Sequence, residues 1–165
     1  MHILTGIDAQ VTESTSRLEK SVSLRQIHVF ISHAWSHSTH YETLASWIFD
    51  EPWSIGQASL KFRNFSVPRS DPIHNAHSDR ELKKRIYNQL SRAHVVVIPT
   101  GMYATYSKWI GKEIKGAQFY SKPILAVKPL GQERASSVVG ANASKSVGWS
   151  KRTVVEGIWT LYRDA

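Results

Sequence analysis

His94-Val95-Val96-Val97-Ile98-Pro99 is the most hydrophobic strand candidate in the chain. Its apolar residues are consecutive rather than alternating, so both faces of the strand are to be buried, as at the centre of a parallel sheet covered by helices. Thr100 to Tyr106 then reads as a loop. Ser107-Lys108-Trp109-Ile110-Gly111-Lys112-Glu113-Ile114 opens a helix, with Ser107 as its N-cap, that runs to about Tyr120. Ile110, Ile114 and Ala117 make its apolar stripe, and Trp109 and Glu113, four residues apart, share the neighbouring side. Glu113 is thereby expected at the edge of the buried face. Taken alone, such a carboxylate reads as a boundary residue paired with a lysine.

Working outward, Pro123-Ile124-Leu125-Ala126-Val127 supplies the next strand. Residues 129 to 146 are rich in Gly, Ser and Ala, with a short helix expected at 133–139. A short strand at 146–149 precedes a last helix carrying Val154, Val155, Ile158, Leu161 and Tyr162 on one side. In the other direction, Ser78 and Glu81 form a capping box for a helix whose Leu82, Ile86 and Leu90 face the core. Val67-Pro68-Arg69-Ser70-Asp71-Pro72-Ile73-His74, with two prolines, is a loop of fixed shape. Residues 60–66 alternate apolar and polar, as an edge strand does, and Pro52 and Gly56 punctuate the loop before them. Thr39 and Glu42 form another capping box, for a helix carrying Tyr41, Leu44, Ala45, Ile48 and Phe49. Ile27-His28-Val29-Phe30-Ile31 is a buried first strand ending in the polar turn Ser32 to Ser36. Residues 1–26, polar with isolated apolar positions, are expected to be an extension outside the core, with a composition that suits flexibility. Residues 27–165 form the domain.

Strands alternating with helices predict a flavodoxin-like α/β three-layer sandwich: a five-stranded parallel sheet of order 2-1-3-4-5, covered on both faces. Ligands of such sheets bind beyond the carboxyl ends of the strands, where the order reverses. The turns at 32–37, 67–77 and 100–106 would gather there around the helix of Glu113, and that placement lifts Glu113 above a boundary residue.

Composition narrows the chemistry. The 165 residues, 41% hydrophobic and 21% charged, suit one globular domain. With no cysteine, disulfides, thiolate metal sites and cysteine nucleophiles are excluded, which fits a cytoplasmic setting. No apolar run is long enough for a membrane span. The net charge of +8 attracts phosphates, but the cations are scattered rather than arranged as a stripe, which disfavours nucleic acid and serves an anionic nucleotide as well. His33, His37 and His40, and His74 and His77, lack a carboxylate at a recognised spacing, so no metal is expected. Neither a Gly-x-Gly-x-x-Gly nor a P-loop is present, against redox use of NAD and against ATP hydrolysis.

Phe30-Ile31-Ser32-His33, Val67-Pro68-Arg69, Asp71-Pro72-Ile73, and Tyr103 to Ile110 with Glu113 four residues after Trp109 together resemble a TIR domain. They are similar above all to the bacterial TIR-like family of Thoeris anti-phage defence, over about residues 27 to 163. The resemblance implies an enzyme that cleaves the nicotinamide–ribose bond of NAD. Its product would be a cyclic or conjugated ADP-ribose signal, read by a separate effector protein. It implies Glu113 as the catalytic residue, NAD as substrate rather than cofactor, and self-assembly. The family's aromatic-and-hydroxyl strand end maps onto Phe30 and Ser32, and its mobile loop onto about 66–77. Some TIR domains only bind partners, so a non-catalytic interaction or nucleotide-sensing module is the alternative.

The chemistry asks for few groups. Loss of neutral nicotinamide leaves positive charge on the ribose, which an ionised carboxylate stabilises. Trp109 would shape the wall beside Glu113. Phe30 and Trp35 are candidates for stacking nicotinamide or adenine; each also reads as strand core, Phe30 more so than Trp35. Ser32 and His33 would bond ribose or phosphate oxygens, and Arg69 the pyrophosphate, although each also suits a capping turn or a solvated surface.

Overall fold

The computed structural model describes residues 24–32, 38–67, 79–101, 103–130 and 137–165. In chain order the elements are β1 (Leu24–Ile31), α1 (Thr39–Phe49), β2 (Trp53–Ile55), β3 (Ala58–Asn64), α2 (Asp79–Arg92), β4 (Val95–Pro99), α3 (Tyr103–Phe119), β5 (Ile124–Val127), α4 (Ser137–Asn142), β6 (Lys145–Val147) and α5 (Lys151–Asp164). They build one six-stranded sheet of order β2-β3-β1-β4-β5-β6. All five residues of β4 are buried, and the strand lies between β1 and β5, as its unbroken apolarity requires.

The expected five-stranded, wholly parallel sheet is corrected by β2. Ile55 and Ala58 pair antiparallel across a two-residue turn, and Gly56 takes φ 58°, open to glycine at little cost. Gly56 therefore folds a hairpin where a loop was expected. The strand that follows is consequently internal, with β1 parallel on its other side (Ile27 opposite Phe62), and not an edge. The remaining neighbours are parallel: Phe30 opposite Val96, Val97 opposite Leu125, Ala126 opposite Ser146. β1 also begins at Leu24, three residues before the expected start, because Leu24 to Gln26 pair with Ser59 to Lys61.

Alternation along β1 sorts the core into two layers. Ile27, Val29 and Ile31 pack with Leu44 and Ile48 of α1 and Val154 and Ile158 of α5. Phe30 points the other way, into a cluster with Leu82, Ile86 and Leu90 of α2 and Ile110, Ile114 and Ala117 of α3. Both expected helical stripes thus reach their sheet face. α2 and α3 approach closely at Gly116, where a Cβ would lie 2.5 Å from Leu90 Cδ1.

Helix ends depart from the expected caps. Ser38, not Thr39, caps α1, its hydroxyl accepting from Tyr41 N at 3.1 Å. α3 starts at Tyr103, so Ser107 lies inside the helix and the expected loop to Tyr106 is largely helical. Local helix formation wins there because Tyr103 to Ser107 contains neither proline nor glycine to stop it. α3 ends in a Schellman motif: Lys122 N donates to Ala117 O at 2.7 Å and Ser121 N to Gln118 O at 3.1 Å, with Ser121 at φ 54°. The short helix falls at Ser137–Asn142, a few residues after its expected place. Ser78 lies outside the described residues.

Candidate functional site

Hydroxyl and carboxyl groups are costly to bury without partners, so the places where a fold buries them are informative. Among the described residues the buried polar or charged ones are Ser32, Ser66, Thr100 and Glu113. Ser32 follows β1, Ser66 follows β3 and Thr100 follows β4, all at the carboxyl ends of adjacent parallel strands. Glu113 sits on α3, above the same sheet face as Phe30. Ser32 continues the side taken by Phe30, and its Oγ donates to Glu113 Oε2 at 2.5 Å. Parallel α/β sheets hold their ligands beyond this end of their strands.

Backbone bonds fix these groups in place. Ser32 N donates to Val97 O at 2.9 Å, prolonging the β1–β4 ladder past the strand's end. Ser66 Oγ accepts from Ile31 N at 2.9 Å, while its own N donates to Asn64 Oδ1 at 2.9 Å, so the β3 end is stitched to β1. Thr100 N donates to Val127 O at 3.0 Å. Its Oγ1 is buried and has no hydrogen-bond partner.

The expected site residues divide into three groups. Ser32 and Glu113 are in direct contact, and Glu113 is 0% exposed rather than at the edge of the buried face. The reason is the position of α3, which presses Ile110 and Ile114 fully onto the sheet and carries Glu113 in with them. Phe30 is fully enclosed in the core cluster below, and Trp109 is half-buried against that cluster, with Lys108 Nζ 5.9 Å from its ring centroid. His33, Trp35 and Arg69 lie outside the described residues, as do His37, His74 and His77. Among the described residues no group of three or more potential metal ligands forms. Ser66 and Thr100 were not singled out from the sequence. The one available signal was their position, each the first hydroxyl after a strand.

Clefts also open away from Glu113. One of about 630 Å³ lies at the amino ends of β1, β4 and β5, walled by Arg25, His94, Lys122 and Trp159. α3 and α5 end there, and their carbonyl ends account for cations at that place. His94 accepts at Nδ1 from His28 N at 2.9 Å, and its pKa is lowered by burial, by His28 and by Lys122. A broader cleft runs along the outer face of α2 beside Lys83, Lys84 and Arg85. Neither brings a buried acid together with hydroxyl groups.

The family described as "Thoeris protein ThsB, TIR-like domain" matches residues 30–134, well over half of the chain and including Ser32, Ser66, Thr100 and Glu113. The chain belongs to the Thoeris ThsB TIR-like family. Within this TIR-like domain the family match begins at Phe30, on β1, and takes in the whole of α3. A comparison with curated proteins finds no match. Among solved structures, the TIR-like chain is similar to the CMP N-glycosidase BcmB of Clostridium botulinum, at 12% identity over 79% of this chain and 97% of that one, with a TM-score of 0.49. It is also similar to the response regulator domain of Thermotoga maritima CheB, at 15% identity over 86% of this chain and 96% of that one, with a TM-score of 0.47. Among the described residues of the TIR-like chain, no helix is long and apolar enough to cross a membrane.

Proposed function

We propose that this TIR-like domain is an NAD-cleaving enzyme of anti-phage defence. The observation that carries the reading is a buried carboxylate, Glu113, oriented by Ser32 at the carboxyl ends of the central strands of a Thoeris TIR-like chain. Breaking the bond between C1′ of the ribose and the nicotinamide nitrogen sends the bonding electrons to nicotinamide, which departs neutral. The ribose is left with the positive charge. A carboxylate fixed beside the ring stabilises that charge as it develops, and its preorganisation removes the need to reorient during the reaction. The ribose hydroxyls are suitable hydrogen-bond donors to such a carboxylate. A nucleophile then captures C1′: water gives ADP-ribose, while an acceptor on the nucleotide itself or on another molecule gives the cyclic or conjugated signal that an effector reads.

Glu113 has no exposed surface in this structure, so substrate reaches it only when the crevice opens. An enzyme silent at rest and opened by infection or self-assembly fits that enclosure. The test is to incubate the protein and its Glu113→Gln variant with NAD, with and without infected-cell extract, measuring nicotinamide release and the mass of the nucleotide product. Release by wild type alone supports the reading. Release by Glu113→Gln at the wild-type rate would sink it, and silence from wild type under every condition would leave the domain a non-catalytic module.

A further inference from the structure

Each of the other buried polar side chains at the strand ends has a bonding role. Ser32 donates to Glu113, and Ser66 accepts from Ile31 N. The Thr100 hydroxyl has none, although Thr100 is only 2% exposed. The other unpartnered buried atom among the described residues, Gln89 Oε1, belongs to an amide whose Nε2 is engaged by Ser66 O at 3.3 Å. Thr100 is the case in which an entire side-chain polar group is stranded. Leaving a hydroxyl so is unfavourable, and a protein retains it most readily where something else completes the bond.

Its place in the sheet says where that completion would occur. Val96 and Ile98 of β4 belong to the core layer shared with α2 and α3. The bond from Thr100 N to Val127 O carries the β4–β5 ladder on to residue 100, so strand alternation still holds there. Thr100 therefore shares the sheet face of Phe30 and Ser32, the face that α3 covers with Glu113. Phe30 is opposite Val96 in the β1–β4 register, which puts Thr100 further out along the crevice than Ser32.

We propose that Thr100 is a substrate-positioning residue, its hydroxyl hydrogen-bonding a ribose hydroxyl of the nucleotide whose glycosidic bond Glu113 acts on. This rests on the reading of the site as NAD-cleaving. A threonine serves because its hydroxyl donates and accepts, as a ribose hydroxyl does, and the bond replaces an unmade one in the free protein. Thr100 sets the ribose against the Glu113 carboxylate and takes no part in bond cleavage.

Thr100→Val keeps the shape and removes the oxygen. With the activated protein, KM for NAD should rise about tenfold with kcat nearly unchanged, since one hydrogen bond to the ligand is lost. The ligand-free variant should melt no lower than wild type, because no protein partner loses a bond, and Thr100→Ser should restore KM. A structural role predicts the opposite pattern. A Thr100→Val protein that melts several degrees lower, or one that keeps the wild-type KM while wild type turns over NAD, overturns the assignment and leaves the NAD-cleaving reading intact. Absence of both NAD turnover and NAD binding in wild type removes both together.

Discussion

Ser32 and Glu113, 81 positions apart in the chain, meet at 2.5 Å, the serine hydroxyl donating to Oε2 where both residues are fully buried. The bond ties the end of β1 to α3 and anchors one oxygen of the carboxylate. Ser32→Ala removes a donor from a buried acid, a loss of about 1–3 kcal/mol when a buried polar group is left unsatisfied. Urea denaturation should show that destabilisation. If the domain cleaves NAD as proposed, nicotinamide release should fall about tenfold or more, because a misplaced carboxylate would no longer meet the developing charge. Wild-type kinetics in Ser32→Ala would show that Glu113 is oriented without it.

The two glycines of α3 should respond oppositely to alanine. At Gly111 nothing lies within 4 Å of an added Cβ, so Gly111→Ala should stabilise by about 0.5–1 kcal/mol through helix propensity. At Gly116 the same atom meets Leu90 Cδ1 at 2.5 Å and Tyr87 Cε1 at 2.9 Å, and Leu90 is fully buried, so the neighbours must shift within the packed core. Overpacking there costs about 1–3 kcal/mol and outweighs the propensity gain. Thermal melts of the pair check the contrast.

Ser121 holds the left-handed position that ends α3, at φ 54°. That conformation costs a residue with a Cβ about 1–2 kcal/mol, partly offset by the larger unfolded-state freedom of glycine. Ser121→Gly should therefore raise stability by about 0.5–1 kcal/mol without altering activity. A drop in the melting temperature would contradict the Schellman assignment.

His94 gives the protein a defined response to acid. Its folded pKa lies below the ordinary histidine value, through burial first, then His28 and Lys122, so the unfolded chain binds the proton more readily. The stabilising contribution is complete above about pH 6.5. It declines as pH falls from there through the lowered folded value. Protonation at Nδ1 would also end its acceptance from His28 N. Chemical denaturation between pH 5 and 8 should show this slope, and His94→Asn, which keeps an acceptor but does not titrate, should flatten it.

The sequence was legible where physics writes it repeatedly. Val95 to Pro99 is buried throughout and central, and the Leu82-Ile86-Leu90 and Ile110-Ile114-Ala117 stripes face the sheet as their spacing requires. Single residues were harder. Gly56 could punctuate either a loop or a hairpin, and only its pairing context, Ile55 with Ala58, selects the hairpin. Ser107 looked like a cap because a cap is a local pattern, yet helix formation had already begun at Tyr103. Ser66 and Thr100 carry no periodic signal at all. What marks them is burial, a property of neighbouring strands distant in the chain. Glu113 stood out because its helix position and the surrounding motifs agreed; that α3 encloses it completely depends on how closely the helix packs.

The hairpin has a consequence for the rims of the sheet. It places a strand of three residues at one rim of the sheet, and β6, also three residues, forms the other. The Trp53 indole is tied back to Trp47 O at 2.8 Å. Such short rims present little backbone for a neighbour to join, which guards against runaway strand addition. Any partner that does dock is thus left to helices and side chains, where an association can be made and undone without extending the sheet.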